Sequence, residues 1–446
     1  MRHVLILALA LSGCSFYAPT IGDCTLACGE GGCPSGFTCR GTFCRPNGGP
    51  EVDCACRAGS SEACGTDVGE CAFGQRTCSP SGEWGECTGG QGPTREICDG
   101  KDNDCDGLTD LGPVTQVLED TGPYEGFWRV HGDDAGFAFV GPHALPDGGA
   151  DFKAMYLDPL LAPRGESAVF TSGFKRIASV AEGSTIYVGY ANGSEVELTE
   201  IGPGGQLRQV GLLPDAGYSA RIQTCLGPRG LLNMWVSDEE TVRIAKWPRD
   251  GGPVDVYDLA KIPDASIYWV DATTDGQYAI IEATTADGGT LDAVQDIDQP
   301  APHTLASPYW VAERFRTRGG LIVHLDILDF GGKEVIFWRD FANQTSTDYF
   351  VVEQVGRWHD SDFIFDDNED VIAAYGDEAT QRIVLARIEG RTDTDLQVTR
   401  IIPDDVVVPS GAYSGNIKLA HVPGDPMHAV FWATRTRVYA RRFCAP

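Results

Sequence analysis

Residues 181–190 read AEGSTIYVGY, in which a turn of small and polar residues runs directly into a segment rich in Ile, Tyr and Val. Such a segment, too short for a helix and bounded by turn residues, is typical of a β-strand. Related turn-and-strand segments begin at Asp133, Gly227, Thr273, Thr317, Asp366 and Gly424. Seven copies of one local pattern indicate a repeat architecture.

A further strand is predicted before each turn, and these seven strands can be aligned on their central residues. The aligned centres are Arg129, Arg176, Arg221, Trp269, Trp310, Trp358 and Asn416. A period of roughly 40 to 50 residues, with four short strands per unit, is typical of a β-propeller. The sequence therefore predicts an all-β fold with a seven-bladed β-propeller over residues 112–446. A pair of β-sandwiches is the alternative.

The final repeat ends at Pro446, one strand short of four. Conversely, the first strand-like segment of this domain, Thr115–Glu119, has no repeat of its own. Pairing that segment into the last blade would close the ring and remove the open sheet edges. Resemblance to propellers in general implies this closure.

Charge and cysteine content indicate which partners and which cellular compartment the protein can have. The 446 residues include 64 acidic and 34 basic side chains, a formal charge of −30 that repels nucleic-acid phosphates. We therefore expect no nucleic-acid partner. Fourteen of the 16 cysteines precede residue 106, which indicates an exported, oxidised module.

The first 13 residues have the form of a signal peptide, with Arg2 followed by a short apolar run. The run ends in Leu-Ser-Gly before Cys14 and resembles a bacterial lipobox. That resemblance implies cleavage before Cys14, acylation of this residue with fatty acids such as palmitate, and a lipid anchor. Ser15 in place of Asp implies the outer membrane, on its periplasmic or cell-surface side. An ordinary secretory signal with a chance cysteine is the alternative.

Two cysteine-rich segments follow, a module with its linker at residues 14–53 and a repeat at residues 54–111. The first contains almost no aliphatic residues that could form a core, so disulfides must order it. Counting parity after lipidation of Cys14, we expect Cys225 to be a buried thiol outside the disulfides. Cys444 is then predicted to pair with one of the N-terminal cysteines.

Residues 98–110 read CDGKDNDCDGLTD and alternate acidic side chains around a turn at Gly107. This alternation directs oxygen atoms toward a hard cation, and we predict structural calcium. The predicted ligands are the carboxylates of Asp102, Asp104, Asp106 and Asp110 and the carbonyl of Leu108. The position where an EF-hand has a bidentate Glu falls on Gly112 or Pro113, so the loop is not an EF-hand.

Together with the WGEC element at residues 84–87, this loop closely resembles the MopE-type metal-binding repeat of bacterial surface proteins. The resemblance implies metal binding in a surface protein. Members often carry several copies, whereas this chain has one, which counts against a metal-scavenging protein, the third interpretation. A solvated acidic turn without metal is the alternative.

The seven aligned centres form the candidate ligand face of the propeller. Arginine favours carboxylates and tryptophan favours sugar faces or peptide side chains, so an anionic glycan or an envelope protein could bind there. Alternatively, these large side chains only wedge between blades.

Sequence motifs of common enzymes are absent, and no catalytic residue is assigned. An acidic run, residues 360–370, could supply paired carboxylates for glycoside chemistry, with a solvated hairpin turn as the alternative. The leading prediction is a non-enzymatic, lipid-anchored binding protein of the cell envelope. A polysaccharide-degrading propeller enzyme is the alternative.

Overall fold

The structure is a computed structural model that describes most of the chain in separate segments. The described residues are 22–49, 54–119, 128–173, 177–192, 194–214, 222–228, 230–249, 252–272, 276–298, 303–305, 315–318, 321–328, 333–340, 348–354, 361–366, 370–377, 382–389, 397–400, 417–433 and 437–445. Every regular element among them is a β-strand.

Described residues up to Glu96, together with Lys101–Thr109, form one compact unit, the N-terminal unit. Its strands make two short antiparallel hairpins. These strands are β1 (Phe37–Arg40), β2 (Phe43–Pro46), β3 (Ser61–Cys64) and β4 (Gly74–Thr77). Six disulfides cross-link the unit: Cys24–Cys54, Cys28–Cys39, Cys33–Cys44, Cys56–Cys78, Cys64–Cys87 and Cys71–Cys105.

Residues Ile97–Gly100 and those from Asp110 onward form the second unit, and its strands follow one another without helices in the described part. A single strand, β5 (Thr115–Glu119), comes first. Blade 1 contains β6 (Arg129–Asp133), β7 (Gly136–Ala144), β8 (Ala150–Leu157) and β9 (Ala168–Ser172). Blade 2 contains β10 (Ile177–Glu182), β11 (Thr185–Asn192), β12 (Glu195–Ile201) and β13 (Leu207–Pro214).

Five further blades complete the series. Blade 3 contains β14 (Ile222–Gly227), β15 (Gly230–Asp238), β16 (Thr241–Pro248) and β17 (Asp255–Lys261). Blade 4 contains β18 (Ala265–Ala272), β19 (Tyr278–Thr285), β20 (Thr290–Asp296) and β21 (His303–Leu305). Blade 5 contains β22 (Phe315–Arg318), β23 (Leu321–Leu328), β24 (Lys333–Asp340) and β25 (Asp348–Gln354). Blade 6 contains β26 (Ser361–Phe365), β27 (Val371–Asp377), β28 (Arg382–Glu389) and β29 (Gln397–Arg400). Blade 7 contains β30 (Ile417–His421), β31 (Met427–Ala433) and β32 (Arg437–Cys444), with β5 as its fourth strand.

Each blade is a four-stranded antiparallel sheet in which sequence neighbours pair, and blade 7 alone recruits a strand from elsewhere. First strands of neighbouring blades contact one another in five cases: β6 with β10, β10 with β14, β14 with β18, β26 with β30, and β30 with β6. First strands therefore lie at the centre of the ring, as in a β-propeller. The predicted seven-bladed β-propeller is confirmed, and the sandwich alternative is wrong.

Blade 7 closes the ring as the sequence predicted, because β5 pairs with the final strand β32. The backbone just before β5 continues this contact: the Cys444 amide donates to the Asp110 carbonyl (3.0 Å) and the Gly112 amide donates to the Arg442 carbonyl (3.0 Å). A disulfide joins Cys98 to Cys444 across 346 residues of sequence. The prediction that Cys444 pairs with an N-terminal cysteine is thus confirmed.

Hydrophobic side chains pack between adjacent blades rather than in one central core. One such cluster joins blades 7 and 1 and includes Phe137, Phe431 and Val438. Another joins blades 3 and 4 and includes Met234 and Cys225. Cys225 is buried and lies outside the disulfides, as predicted. Because each sheet buries both faces against its neighbours, its strands contain long runs of buried residues, such as all seven residues of β31.

A glycine is required where β7 begins. Gly136 has a φ of 138°, and a Cβ at this position would lie 2.1 Å from the Leu157 carbonyl oxygen of β8. Only glycine combines this backbone conformation with so close an approach. The turn residues that revealed the repeat therefore reflect a steric requirement of the blade.

Candidate functional site

Residues 101–109 of the acidic loop belong to the N-terminal unit and are attached to its hairpin region. The Cys71–Cys105 disulfide fixes the loop covalently, and the Glu70 amide donates to the Asp102 carbonyl (2.9 Å). Gly69 lies so close that a Cβ there would stand 2.6 Å from the Asp102 carboxylate. The loop is therefore held in place by local structure on one side.

Three carboxylates converge in this loop region: Glu96, Asp102 and Asp104 each bring one oxygen within 4.8 Å of the others. Glu96 and Asp102 are buried, with 3% and 7% of their surface exposed, while Asp104 is half-buried. Like charges so close together and so little exposed repel one another strongly unless a cation or protons compensate. We call these three residues the carboxylate cluster.

Backbone amides of the loop orient the cluster. Asp102 accepts hydrogen bonds from the Asp106 amide (3.2 Å, to Oδ1) and the Gly107 amide (3.0 Å, to Oδ2). Glu96 Oε1 accepts the amide hydrogens of Asn103 and Asp104, the latter at 3.1 Å. The carboxylates are therefore oriented by the fold itself.

The other predicted ligands are engaged within the loop in different ways. Asp106 is exposed and its Oδ1 accepts the Leu108 amide (2.8 Å). Asp110 belongs to the second unit, where its Oδ1 accepts the amides of Asp99 (3.1 Å) and Gly100 (3.0 Å). Of the five predicted ligands, the structure brings Asp102 and Asp104 together, and it adds Glu96.

The donor set of the cluster consists of carboxylate oxygens alone. Hard cations such as Ca²⁺ favour oxygen ligands, whereas copper and zinc favour nitrogen and sulfur. The three other clustered groups, the sulfurs of Cys28, Cys33 and Cys44, are all in disulfides and are not thiolate ligands. The described residues thus fit calcium.

Only two positions of the predicted ligand face fall among the described residues. Arg129 is the first residue of β6, is half-buried, and donates from Nη1 to the Trp128 carbonyl (3.0 Å). Trp269 lies within β18 opposite Glu282 of β19, beside a bulge. The other five, Arg176, Arg221, Trp310, Trp358 and Asn416, lie outside the described residues.

Polar side chains of the first strands link neighbouring blades near the ring centre. His131 Nε2 and Ser179 Oγ are 2.8 Å apart between blades 1 and 2. Gln223 of blade 3 donates to the buried Asp271 of blade 4. Asp362 of blade 6 accepts the Leu419 amide of blade 7 (2.8 Å). These contacts stabilise the packing of adjacent blades.

Of the acidic run at residues 360–370, the structure describes residues 361–366 and 370. Asp366 follows β26 and accepts a hydrogen bond from the amide of Asp370, just before β27 (2.9 Å). Arg387 donates to Asp370 (2.6 Å) and lies 3.6 Å from Asp366. The hydrogen bond from Arg387 to Asp370 raises the pKa of the arginine above its usual value. These carboxylates are thus held in an ion-paired turn.

A surface cavity of about 580 Å³ lies between the turns of blades 3 and 4. Its lining includes four carboxylates, those of Asp238, Glu239, Glu240 and Asp264. The amide of Asp264 donates to Glu240 Oε1 (3.1 Å), which joins the turns of the two blades. We call this feature the acidic cavity.

Hydrogen bonds favour the ionised state of Asp238 in the acidic cavity. Burial works to raise the pKa of Asp238, but hydrogen bonds from the Glu240 amide and from Thr241 outweigh it and lower this pKa below its usual value. Lys261 lies 4.0 Å from Glu240, and the two side chains are 65% and 39% exposed. One lysine beside four carboxylates leaves a negative site that suits a cationic group.

Sequence reasoning did not identify this cavity. Its lining comes from three turns spread over residues 238–286, and each turn alone has the composition of an ordinary hairpin.

No known protein family matches the sequence, and no curated protein shows significant similarity to it. Several solved structures are similar to this chain at low sequence identity. A chain of the mitotic checkpoint complex is 11% identical with a TM-score of 0.48, over 75% of this chain and 93% of that one. A prolyl endopeptidase is 10% identical with a TM-score of 0.44, over 76% of this chain. The WD40 domain of SCAP from fission yeast is 8% identical with a TM-score of 0.42, over 75% of this chain and 98% of that one.

This chain spans about half the length of the prolyl endopeptidase, 51% of it. At these identities and TM-scores, the similarity assigns no function to this chain. Within the described part of the chain there is no helix of the length and apolarity needed to cross a membrane.

Proposed function

We propose that the protein is a lipid-anchored binding protein of the cell envelope whose propeller binds a positively charged segment of another envelope protein. The observation that carries this proposal is the acidic cavity, where four carboxylates surround a volume large enough for a lysine or arginine side chain with its neighbours. An anionic partner, which the sequence suggested for the arginine positions, would be repelled here.

The anchor in this proposal is Cys14, which lies outside the described residues and is supported by its lipobox-like sequence. Localisation at the outer membrane follows from Ser15 in the same way. Full-length protein expressed in a bacterium should carry a diacylglyceryl group and an amide-linked acyl chain on Cys14, detected by mass spectrometry. The Cys14→Ser variant should no longer be found in the membrane fraction.

A single structural calcium ion forms the second part of the proposal. Asp102 and Asp104 would supply carboxylate ligands from the acidic loop, and the ion would offset their mutual repulsion. Since one loop is present, its role is to order the N-terminal unit, and metal scavenging would require more sites.

The ligand proposal can be tested with the mature chain and two synthetic peptides, a decalysine and a decaglutamate. The double variant Glu239→Gln/Asp264→Asn removes two charges from the acidic cavity, and Asn tolerates the positive φ of 59° at position 264. Glu195→Gln/Asp255→Asn removes two exposed charges elsewhere on the propeller and serves as the control.

We expect decalysine to bind the wild type and decaglutamate not to bind. The cavity variant should bind about tenfold more weakly and the control variant nearly as well as the wild type. Equal weakening in both variants would show that the overall charge of −30, not the cavity, attracts the peptide.

A further inference from the structure

One exposed turn of the N-terminal unit contains an asparagine followed by a glycine. Asn47 and Gly48 come directly after β2, and both are exposed. Gly48 has a φ of 84°, in the left-handed region that glycine adopts readily. A Cβ at this position would have no atom within 4 Å, so the space beside the Gly48 backbone is open.

The side chain of Asn47 is activated for attack by a neighbouring hydroxyl. The Thr38 hydroxyl of β1 donates to Asn47 Oδ1. Such a hydrogen bond makes the attached carbon more electrophilic and stabilises negative charge that develops on the oxygen. The Gly48 amide has no acceptor among the residues that the structure describes. An electrophilic Cγ and an available backbone nitrogen therefore lie in adjacent residues.

We propose that Asn47 is a site of spontaneous deamidation, with water as the only co-reactant. The Gly48 amide loses its proton to solvent, and its nitrogen attacks Asn47 Cγ to form a succinimide ring. The bond from Cγ to the side-chain nitrogen breaks, and this nitrogen takes a proton from solvent and leaves as ammonia. Water then opens the ring at either carbonyl and leaves aspartate or isoaspartate at position 47. Because the reacting groups belong to one turn, no second molecule has to position them.

The other Asn-Gly sequence of the chain provides an internal comparison. Asn192 is the last residue of β11, and it pairs with Glu195 of β12. Ring closure requires the backbone at the asparagine to leave its native conformation, which a paired strand opposes. Asn47 lies outside β2 and has no such pairing with a neighbouring strand. We therefore expect the native structure to protect Asn192 and to leave Asn47 reactive.

Deamidation changes both the charge and the backbone of the turn. Either product replaces a neutral amide by a carboxylate. Isoaspartate also routes the main chain through the former side chain and lengthens it by one methylene group. The Gly49 amide donates to the Pro46 carbonyl across the turn (3.2 Å), and the isoaspartate form should lose this hydrogen bond. The segment between the two cysteine-rich parts thus acquires a product whose amount increases with the age of the molecule.

The test is incubation of the mature, disulfide-bonded chain in mildly alkaline buffer made with heavy-oxygen water. Peptide mapping by mass spectrometry then measures conversion at Asn47 and Asn192 in wild type, Thr38→Val and Thr42→Val. Thr42 is an exposed threonine of the same hairpin and controls for a lost hydroxyl. An isoaspartyl methyltransferase assay measures the isoaspartate product.

We expect Asn47 to become a mixture of aspartate and isoaspartate that contains heavy oxygen from water. Conversion of Asn192 should be at least about tenfold slower, because the hairpin must open locally first. Thr38→Val should slow conversion of Asn47 by about fivefold, the effect of losing one hydrogen bond, whereas Thr42→Val should not slow it.

Two results would overturn the proposal. The first is an Asn47 that keeps its amide as long as Asn192 does. The second is equal conversion of Asn47 in Thr38→Val and in wild type, which would refute activation by the hydroxyl.

Unfolding provides a further measurement that does not depend on a variant that folds. In the reduced chain in urea, Asn47 and Asn192 should react at similar rates, because local structure no longer distinguishes them. A difference there as large as in the native chain would show that sequence alone sets the rates and would refute the role of the fold. Disulfide mapping establishes that Thr38→Val and Thr42→Val are correctly folded.

Discussion

The N-terminal unit and the propeller use opposite means to become ordered. In the N-terminal unit the buried apolar side chains among the described residues are Phe43 and five half-cystines, and six disulfides cross-link it. The propeller buries dozens of aliphatic and aromatic side chains between blades and contains one disulfide. Covalent bonds replace the hydrophobic core where the chain is too poor in apolar residues to build one.

Reduction of the disulfides should give the largest difference in amide protection between the N-terminal unit and the propeller. We expect dithiothreitol to abolish amide protection in β1 to β4, since the six disulfides are the main source of order there. The propeller strands β7 and β15 should keep theirs. Hydrogen exchange with mass spectrometry measures both regions in one experiment, and protected hairpins after full reduction would contradict the comparison.

Removing a side chain from the hydrophobic core should instead destabilise the propeller. Phe431 is fully buried between blades 7 and 1, so Phe431→Ala should lower the unfolding free energy of the propeller by about 3–5 kcal/mol. Val169→Ala, on the exposed side of β9, is the control and should change it little. Denaturant titration followed by tryptophan fluorescence checks both variants.

The one disulfide of the propeller should matter less than the core. Replacing Cys98 and Cys444 by serine should cost about 3 kcal/mol and should raise hydrogen exchange first in β5 and β32. Removal of Cys64–Cys87 is the matched control and should leave these two strands unchanged. Increased exchange spread evenly over all blades would argue against a local role in closure.

A buried tyrosine gives the smallest predicted effect. Burial, with the nearby charge of Asp133 as the second cause, raises the pKa of Tyr156 from 10.0 to about 12. Its hydroxyl donates to the carbonyls of Ile201 (3.0 Å) and Gly202 (2.9 Å), which joins blade 1 to blade 2.

Because the folded pKa of Tyr156 is the higher one, its contribution is complete below pH 10 and is lost as pH rises toward 12. Wild type should therefore lose about 2 kcal/mol more unfolding free energy over this interval than Tyr156→Phe. Parallel pH profiles for the two proteins would show that another group governs the alkaline transition.

Most of the propeller could be read from the sequence because its strands obey local rules. The second strand of each blade begins where the turn residues predicted it, as at Gly136 and Gly230. Closure by Thr115–Glu119 followed from the missing strand of the last repeat. Cysteine parity indicated that Cys444 pairs with an N-terminal cysteine, but parity carries no connectivity, so Cys98 could not be singled out.

The candidate sites were harder to read, since they depend on contacts between distant residues. Asp102 and Asp104 lie in a motif with regular spacing, whereas Glu96 lies outside it and is brought in by the fold. The acidic cavity joins turns of two blades. Sequence spacing reveals groups on one loop and says little about groups that meet only after blades pack.

The disulfide between Cys98 and Cys444 has a mechanical consequence. Tension that reaches the propeller along the chain from its N-terminal side arrives at residue 98 before it reaches β5. Part of that load passes through the sulfur–sulfur bond directly into the end of β32. The β5 strand would otherwise be pulled from β32 residue by residue, so the covalent bond shields this pairing from force.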